Sequence, residues 1–283
     1  MKNIGIFTNE QKDPGFQLTK KICEALEKRK IEYSFDESLM GKLSGPEIGD
    51  VLPELIIVLG GDGTMLSAAR KYAAMGIPLL GLNLGRMGFL LDTEFTEFEA
   101  AIDAMICGDY EVEERLMLSA SIYSAETGEV KYSEYALNEA VVSQKNIQRI
   151  IHVDLSVNGT TVDRMHCDGL IVSTPTGSTG YSLSAGGSIV MPNLGVMLIT
   201  PVCSHSLTSF KMVISDQDTV EIVPKKGSAA LTLDGQVYRD IDEDDRVVIC
   251  SAEFKVKFAK YTNKDFFTVL KDKFTEWNTK QRF

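Results

Sequence analysis

Apolar residues in the first hundred positions of the chain follow two alternating spacings. Short continuous apolar runs lie at Asn3–Thr8, Leu55–Leu59 and Ile77–Leu82, as expected for strands that are buried on both faces of a sheet. Between these runs, apolar residues recur at helical spacing from Leu18 to Leu26 and from Leu66 to Met75. This alternation of strand and helix predicts an α/β domain with a parallel sheet flanked by helices.

Capping residues indicate where two of these helices begin or end. Gly76 follows the helix predicted over Leu66–Met75, at the position where a left-handed C-terminal cap belongs. Thr96 and Glu99 have the spacing of a capping box, which predicts the start of another helix. That helix is expected to end near Cys107 and Gly108.

After about Glu111 the pattern changes to short apolar stretches separated by turn residues. Asn158-Gly159 is a strong hairpin signal between two of these stretches. Strands at this spacing predict an all-β second domain. The strands expected there are Leu116–Tyr123, Val130–Ser143, His152–Val157, Gly195–Thr200, Thr219–Val223, Ala229–Leu233 and Arg246–Cys250.

A helix is predicted to close the chain. Phe267, Leu270, Phe274 and Trp277 form an apolar stripe at helical spacing, which needs a hydrophobic partner. We therefore expect this helix to pack back on the N-terminal domain. The predicted organisation is an α/β domain over 1–110, a β-rich domain over 111–262 and the closing helix over 263–283.

Charge and cysteine usage narrow the classes of partner and compartment. The 283 residues include 40 acidic and 29 basic residues, a net charge of -11. This balance argues against nucleic-acid or anionic-membrane binding, which needs clustered Lys and Arg. It leaves anionic small ligands open, since backbone N–H groups can hold a phosphate. Five scattered cysteines without a C-x-x-C pair, a short apolar run at the N-terminus and no stretch of about 20 apolar residues predict a cytoplasmic protein.

The string Gly60-Gly61-Asp62-Gly63-Thr64 lies where a predicted strand gives way to a helix. This position places loop N–H groups and a helix N-terminus at the carboxyl edge of the sheet, where such folds bind ligands. Glycines allow the backbone to approach phosphate oxygens closely, whereas an aspartate would repel them. Asp62 is therefore interpreted as the acceptor of a proton from an attacking hydroxyl. The alternative is a tight turn in which Asp62 caps the helix.

Two further motifs offer polar groups to a nucleotide. Ser173–Tyr181 is a hydroxyl- and glycine-rich turn that follows an apolar strand, and hydroxyls both donate and accept hydrogen bonds. In Asn138-Glu139, a carboxylate can accept from both hydroxyls of a ribose, and an amide can meet the edge of a base. The simpler interpretation of Ser173–Tyr181 is an ordinary loop, and that of Asn138-Glu139 is a solvated strand end.

Taken together, these motifs resemble those of the NAD kinase family over most of the chain. The Gly60–Thr64 string alone is shared in similar form with diacylglycerol-type lipid kinases and phosphofructokinases, whereas Ser173–Tyr181 and Asn138-Glu139 narrow the match. Supporting matches are Asn83–Leu90, Ser204–Leu207 and Asp234-Gly235-Gln236. The resemblance implies that the protein phosphorylates the adenosine-ribose 2′-hydroxyl of NAD with ATP, giving NADP. It also implies a ligand site between the two domains, a Mg²⁺ ion bound with the triphosphate, and a homodimer or homotetramer.

The resemblance also assigns roles to individual residues. Asp62 would be the catalytic proton acceptor. The donor phosphates would be held by Gly60, Gly61, Gly63, Thr64 and Asn83. NAD would be bound by Asp62, Gly63, Phe89, Asn138, Glu139, His166, Asp168, Thr179, Gly180, Tyr181, Ser184 and Gln236. His166 departs from the family pattern, in which arginine is frequent at this position.

Other functions and metal sites fit the sequence less well. A lipid or sugar kinase would share the glycine loop but would not need Ser173–Tyr181 together with Asn138-Glu139. A non-catalytic dinucleotide sensor would not need the Asp62 carboxylate. The spacing of His166-Cys167 and Cys203-Ser204-His205 is poor for zinc. The acidic run Asp240–Asp245 lacks the glycine and glutamate of a calcium loop, so we expect no metal held by the protein alone.

Overall fold

The computed structural model describes residues 1–85, 88–91, 93–145, 150–204, 210–226, 228–261 and 264–280. The chain divides into two compact units. The N-terminal unit consists of Met1–Glu114 with Val256–Phe283, and the C-terminal unit consists of Arg115–Lys255.

The first part of the N-terminal unit alternates strands and helices, as its apolar spacing predicts. Its strands are β1 (Asn3–Thr8), β2 (Glu32–Phe35), β3 (Leu55–Gly60), β4 (Leu79–Asn83), β5 (Thr93–Glu94) and β6 (Glu111–Arg115). Its helices are α1 (Gln17–Lys28), α2 (Asp62–Tyr72) and α3 (Phe98–Cys107). Every residue of β3 and β4 is buried, which explains their unbroken apolar runs.

The C-terminal unit is built from strands, together with one short helix, α4 (Tyr181–Ser184), among its described residues. The strands are β7 (Leu118–Tyr123), β8 (Val130–Ala136), β9 (Glu139–Gln144), β10 (Ile151–Val157), β11 (Thr160–Cys167), β12 (Gly169–Ser173), β13 (Val196–Val202), β14 (Met212–Ser215), β15 (Val220–Lys226), β16 (Ala229–Leu233), β17 (Val237–Ile241) and β18 (Arg246–Ser251). The chain then returns to the N-terminal unit through β19 (Val256–Lys260) and α5 (Phe266–Lys280).

The sheets confirm the predicted fold class. The N-terminal unit has the strand order β2-β1-β3-β4-β19-β6, with β5 beside β4, and the pairs that join β1 to β2 and β3, and β4 to β3, β5 and β19, are parallel. The C-terminal unit has two sheets, β11-β10-β15-β18-β7-β8 and β14-β13-β12-β9-β16-β17. One apolar cluster contains buried residues from both, such as Leu155 and Leu231, so the two faces pack together as a sandwich.

The Asn158-Gly159 hairpin is confirmed. It joins β10 to β11, and both residues have positive φ, 50° and 76°. Two positive φ angles are the requirement of the tightest two-residue hairpin turn, which asparagine and glycine meet with least strain.

Helix α2 begins earlier than predicted, at Asp62 rather than at Leu66. Gly61 is extended and serves as the N-cap, so Asp62 lies in the first helical turn. A carboxylate is favourable there because it faces the positive end of the helix dipole. The helix is followed by a 3₁₀ turn over Ala73–Met75, and Gly76 caps that turn with φ 69°, so the predicted glycine cap is confirmed.

The predicted start of α3 was wrong. The residues that form the capping box are Glu94 and Glu97, not Thr96 and Glu99, because the chain first makes a 3₁₀ turn over Phe95–Glu97. The helix then begins at Phe98. Its end at Cys107, with Gly108 in the left-handed region as the cap, is confirmed.

The stretch Val130–Ser143, which was expected as one strand, is divided. Strand β8 ends at Ala136 and β9 begins at Glu139, and the two belong to different sheets of the sandwich. Leu137 and Asn138 form the break. At this break, the N–H groups of both residues donate to the Asp234 carboxylate.

The apolar stripe expected on the last helix is not buried as predicted. Phe267 is 63% exposed and Phe274 is 37% exposed, while the side chain of Trp277 lies outside the described residues. The half-buried positions include Phe266, Val269, Leu270 and Lys273. They define a face of α5 that is rotated from the predicted stripe.

Within the described part of the chain, no helix is long and apolar enough to cross a bilayer.

The N-terminal sheet offers a direct test of core packing. Leu55, at the start of β3, has no exposed surface, whereas Leu52 is 68% exposed. Leu55→Ala should lower the free energy of unfolding by about 2–5 kcal/mol, because it leaves a cavity. Leu52→Ala, which removes the same atoms, should change it by less than about 0.5 kcal/mol. Urea unfolding followed by circular dichroism measures both, and equal losses would contradict the assigned burial.

Candidate functional site

The glycine string lies at the carboxyl end of β3, as predicted. Gly60 pairs with Asn83 at the end of β4, and its carbonyl accepts a hydrogen bond from the Leu84 N–H at 2.9 Å. A Cβ atom on Gly60 would lie 2.2 Å from Oγ1 of Thr64, so the turn requires glycine. Asn83 and Thr64 are themselves buried. Exposed Gly63 leaves the first turn of α2 open to a ligand.

The Asp62 carboxylate is held by the segment that follows β4. Its Oδ2 accepts the Phe89 N–H at 3.0 Å, and its Oδ1 accepts the Leu90 N–H at 3.2 Å. A Cβ atom on Gly88 would lie 1.7 Å from Oδ1, so only glycine allows this approach. Each oxygen retains a lone pair for a ligand. The sequence placed Phe89 near Asp62 only through a resemblance, and the structure shows that its backbone makes the contact.

A second constellation lies in the C-terminal unit around Asn138-Glu139. Ser173, the last residue of β12, pairs with Glu139 at the start of β9. The next residue, Thr174, donates from its hydroxyl to the Leu137 carbonyl at 2.6 Å, and its N–H donates to the Asn138 carbonyl at 2.9 Å. The hydroxyl-rich turn and Asn138-Glu139, which were noted separately in the sequence, are therefore in direct contact.

Close backbone packing fixes this contact. The Gly177 N–H donates to Oγ1 of Thr174 at 3.0 Å, and a Cβ atom on Gly177 would lie 2.0 Å from the Asn138 carbonyl oxygen. A backbone carbonyl cannot rotate away as a side chain can, so glycine is required here. Nearby, Arg115 is buried and donates to the Thr176 hydroxyl at 3.3 Å. Sequence reasoning missed Arg115, because a single arginine at a strand end carries no signal.

Glu139 has an unusual environment for a carboxyl group. It is 7% exposed, and its Oε2 is buried without a hydrogen-bond partner. Burial, with a further contribution from the negative charge of Asp234, raises the pKa of Glu139 to about 7, while the Tyr181 backbone N–H opposes the shift. A Cβ atom on Gly180 would lie 3.0 Å from Oε2. A buried acceptor without a partner is expected at a site where a ligand supplies the donor.

The remaining predicted residues of this turn face outward. Tyr181 and Ser184 are exposed, and their spacing places them on one side of α4. Thr179 is half-buried and donates to the Thr176 carbonyl. Gln236 is exposed in the turn between β16 and β17, where it follows the buried Asp234.

His166 and Asp168 are not part of this group. Asp168 directly precedes β12 and His166 lies near the end of β11, whereas Thr174 follows the end of β12. At a rise of about 3.3 Å per residue, the strand separates Asp168 from Thr174 by about 20 Å. His166 is stacked on His152, with ring centroids 3.8 Å apart, and Asp168 accepts a hydrogen bond from the Cys203 thiol, which raises the pKa of that cysteine.

Part of two supporting motifs lies outside the described residues: Arg86 and Met87 of Asn83–Leu90, and His205, Ser206 and Leu207 of Ser204–Leu207. Among the residues that are described, no three His, Cys, Asp or Glu side chains form a cluster that would hold a metal ion.

Comparisons with known proteins give a consistent result. Residues 4–110 match the ATP-NAD kinase N-terminal domain family, and residues 137–261 match the ATP-NAD kinase C-terminal domain family. The chain is 38% identical to the NAD kinase of Natranaerobius thermophilus, over 97% of this chain and 98% of that one. It is 39% identical to the NAD kinase of Geobacter metallireducens, over 96% and 98%.

Solved structures agree with these relatives. An NAD kinase from Archaeoglobus fulgidus in complex with ATP superposes with a TM-score of 0.75 at 30% identity, over 96% of this chain and 98% of that one. Yeast NADH kinase complexed with NADH has the same fold, with a TM-score of 0.85 at 22% identity, over 96% and 87%.

The Glu139 environment predicts a specific pH dependence of stability. Between about pH 4.5 and 7 the folded protein holds a proton on Glu139 that the unfolded chain releases, so this residue's contribution to stability falls as pH rises. Glu139→Gln removes this pH-dependent contribution to stability. Relative to wild type, the free energy of unfolding of the variant should therefore rise by roughly 3 kcal/mol across this window. Urea unfolding at several pH values measures the difference, and parallel curves for the two proteins would contradict it.

Proposed function

Because the chain belongs to the NAD kinase family, we propose that it transfers the terminal phosphoryl group of ATP to the adenosine-ribose 2′-hydroxyl of NAD, giving NADP. The observation that carries the proposal beyond family membership is the Asp62 carboxylate, oriented by two backbone N–H groups at the glycine turn. Its direct test is the formation of NADP by the purified protein from NAD, ATP and Mg²⁺. A lipid or sugar kinase would instead phosphorylate its own acceptor, and a dinucleotide sensor would bind NAD without turnover.

Asp62 acts as the proton acceptor in this proposal. A ribose hydroxyl is a weak nucleophile at neutral pH, and its proton must leave as the new P–O bond forms. The Phe89 and Leu90 N–H groups hold the carboxylate in one orientation, so little reorganisation is needed when the proton is transferred. The lone pairs that these donors leave free receive it.

The glycine turn supplies the groups for the donor phosphates. The exposed backbone of Gly63 lies in the first turn of α2, where N–H groups and the helix dipole favour an anion. Gly61 has no atom within 4 Å of a Cβ position, which leaves room for phosphate oxygens. Thr64 and Asn83 are buried and support the conformation of the turn.

A Mg²⁺ ion would arrive with the triphosphate rather than occupy a protein cage. Magnesium typically retains several waters and binds through one or two carboxylates plus substrate phosphates. When bound, the ion would neutralise phosphate charge during the transfer.

The dinucleotide is held, in this proposal, by the surface around Asn138-Glu139. The Asn138 amide meets a base edge and the Glu139 carboxylate accepts from ribose hydroxyls. Exposed Tyr181 offers an aromatic face, and Ser184 offers a hydroxyl on the same side of α4. Thr179 and Gly180 directly precede Tyr181 and line the same surface in this proposal.

His166 and Asp168 point to an assembly of two or more chains. Because β12 separates Asp168 from Thr174 by about 20 Å, a dinucleotide held at Glu139 would have to run the length of the strand to meet Asp168 in the same chain, and His166 is only two residues from Asp168 in the sequence. We therefore assign them to the dinucleotide of a second copy in a homodimer or homotetramer. The five cysteines are all free thiols, which suits an enzyme of the reducing cytoplasm.

Asp62→Asn tests the chemistry separately from binding. The amide keeps one of the two N–H bonds but cannot accept the proton, so turnover should fall by about 10²–10⁴-fold, with a much smaller change in KM for NAD. Asp50→Asn, an exposed aspartate of the same unit, is the matched control and should keep wild-type turnover. Near wild-type turnover of Asp62→Asn would show that Asp62 is a turn residue, and a folded variant without NAD affinity would show that it is a ribose ligand.

Co-expression of two variants tests the shared site. Tyr181→Ala and Asp168→Asn alone should each weaken NAD binding, because each removes a contact from every site. In mixed assemblies some sites receive both native residues, so random mixing in a dimer should restore about a quarter of the wild-type sites. Titration of NADP formation measures this recovery. No recovery, or a monomer in sedimentation at micromolar concentration, would contradict the assignment.

A further inference from the structure

A buried carboxylate holds the backbone that carries Asn138 and Glu139. Oδ1 of Asp234 accepts the Asn138 N–H at 2.7 Å and the Glu139 N–H at 3.2 Å, and Oδ2 accepts the Leu137 N–H at 3.1 Å. Asp234 is 6% exposed. In return, its own N–H donates to the Glu139 carbonyl at 3.0 Å.

These bonds explain why the predicted strand Val130–Ser143 breaks. Where the chain leaves one sheet and enters the other, the N–H groups of Leu137 and Asn138 lack the ladder partners of a continuous strand. Buried N–H groups must find an acceptor or cost free energy. Asp234 meets this need with one side chain, and its position in the turn after β16 requires the left-handed backbone, φ 50°, which aspartate tolerates better than most residues.

The same side chain acts on Glu139 through its charge. Glu139 is packed against β12 at Ser173, against the turn and α4 at Gly180 and Tyr181, and against β16 at Asp234. Among these groups, Asp234 is the one whose charge opposes ionisation of Glu139, adding to the effect of burial on its pKa.

We propose that Asp234 is a positioning residue of the dinucleotide site: it fixes the backbone of Asn138 and Glu139, and its charge adds to burial in opposing the ionisation that makes Glu139 an acceptor for the ribose. This rests on the proposed function. Asp234 does not touch the substrate in this scheme. It acts through the two residues that do.

The consequence is a pH-dependent KM for NAD. As pH rises through about 7, Glu139 ionises and gains the capacity to accept from both ribose hydroxyls, so KM should fall to a plateau. In Asp234→Asn the opposing charge is gone while the carbonyl oxygen can still accept the Asn138 and Glu139 N–H groups. The midpoint should then move to lower pH by about one unit. Loss of the third hydrogen bond should raise the plateau KM about tenfold or more through misplacement of the site.

Thr174→Val is the matched control. It loosens the same segment from the opposite side, by removing the hydroxyl bonded to the Leu137 carbonyl and the Gly177 N–H, without a change in charge. We expect it to raise KM for NAD while leaving the midpoint at the wild-type pH. A midpoint that moves in Asp234→Asn and not in Thr174→Val supports the proposal. An unmoved midpoint in folded Asp234→Asn, or equal movement in both variants, overturns it.

Wild-type protein provides a second measurement that does not depend on Asp234→Asn folding. Glutamate labelled with ¹³C at the side-chain carboxyl should show Glu139, identified by its absence from Glu139→Gln, titrating near pH 7 in the free protein. A titration near the ordinary glutamate value of about 4.3 would overturn the proposal. If wild-type protein makes no NADP at all, the proposed function fails. If it makes NADP with an unmoved midpoint in Asp234→Asn, the role of Asp234 fails alone.

Discussion

Two aspartate carboxylates, of which Asp234 is buried and Asp62 is half-buried, accept backbone N–H groups next to the ends of strands. Asp234 holds Leu137, Asn138 and Glu139 in this way, and Asp62 holds Phe89 and Leu90. Leu137 and Asn138 lie outside the sheets, so their N–H groups have no ladder partner, and an unpaired buried N–H costs about 1–3 kcal/mol. A carboxylate has about four lone-pair sites, so a single side chain can order two or three consecutive residues. These hydrogen bonds therefore hold the backbone of the segments that carry the candidate site residues.

The same pairing of carboxylates with backbone N–H groups reduces the repulsion between an acidic protein and an anionic substrate. The net charge of -11 would repel a triphosphate if the carboxylates near the site were free and facing it. Asp62 and Asp234 instead direct their oxygens to N–H groups of the protein, and Gly61 leaves open space beside the turn. Glu139 differs, because it is buried with an unpartnered oxygen and its pKa is raised to about 7. At pH values below its pKa this group is mostly neutral and adds little to the repulsion.

A glycine permits a close approach in each of the two units. Gly88 allows the Asp62 carboxylate to approach the loop backbone, and Gly177 allows its turn to approach the Asn138 carbonyl. In both cases the requirement is space for a neighbouring atom. Larger residues at these positions would separate the Asp62 carboxylate from its donors, or the hydroxyl turn from Asn138-Glu139.

The sequence by itself determined the elements whose signals are local. The unbroken apolar runs of β1, β3 and β4, the Asn158-Gly159 hairpin, the caps at Gly76 and Gly108 and the glycine string at the end of β3 all follow from neighbours in the chain, and the family resemblance rested on such strings. Tertiary structure decided what depends on distant residues. At the break at Leu137-Asn138, the backbone needs Asp234 as an acceptor. The early start of α2 is accompanied by hydrogen bonds that Asp62 accepts from the Phe89 and Leu90 N–H groups. The inward face of α5 is not the one that its most apolar residues suggest. Periodicity reports which residues avoid water, but not which backbone groups need a partner from elsewhere. That need joins Asn138 to Thr174, whose N–H donates to the Asn138 carbonyl.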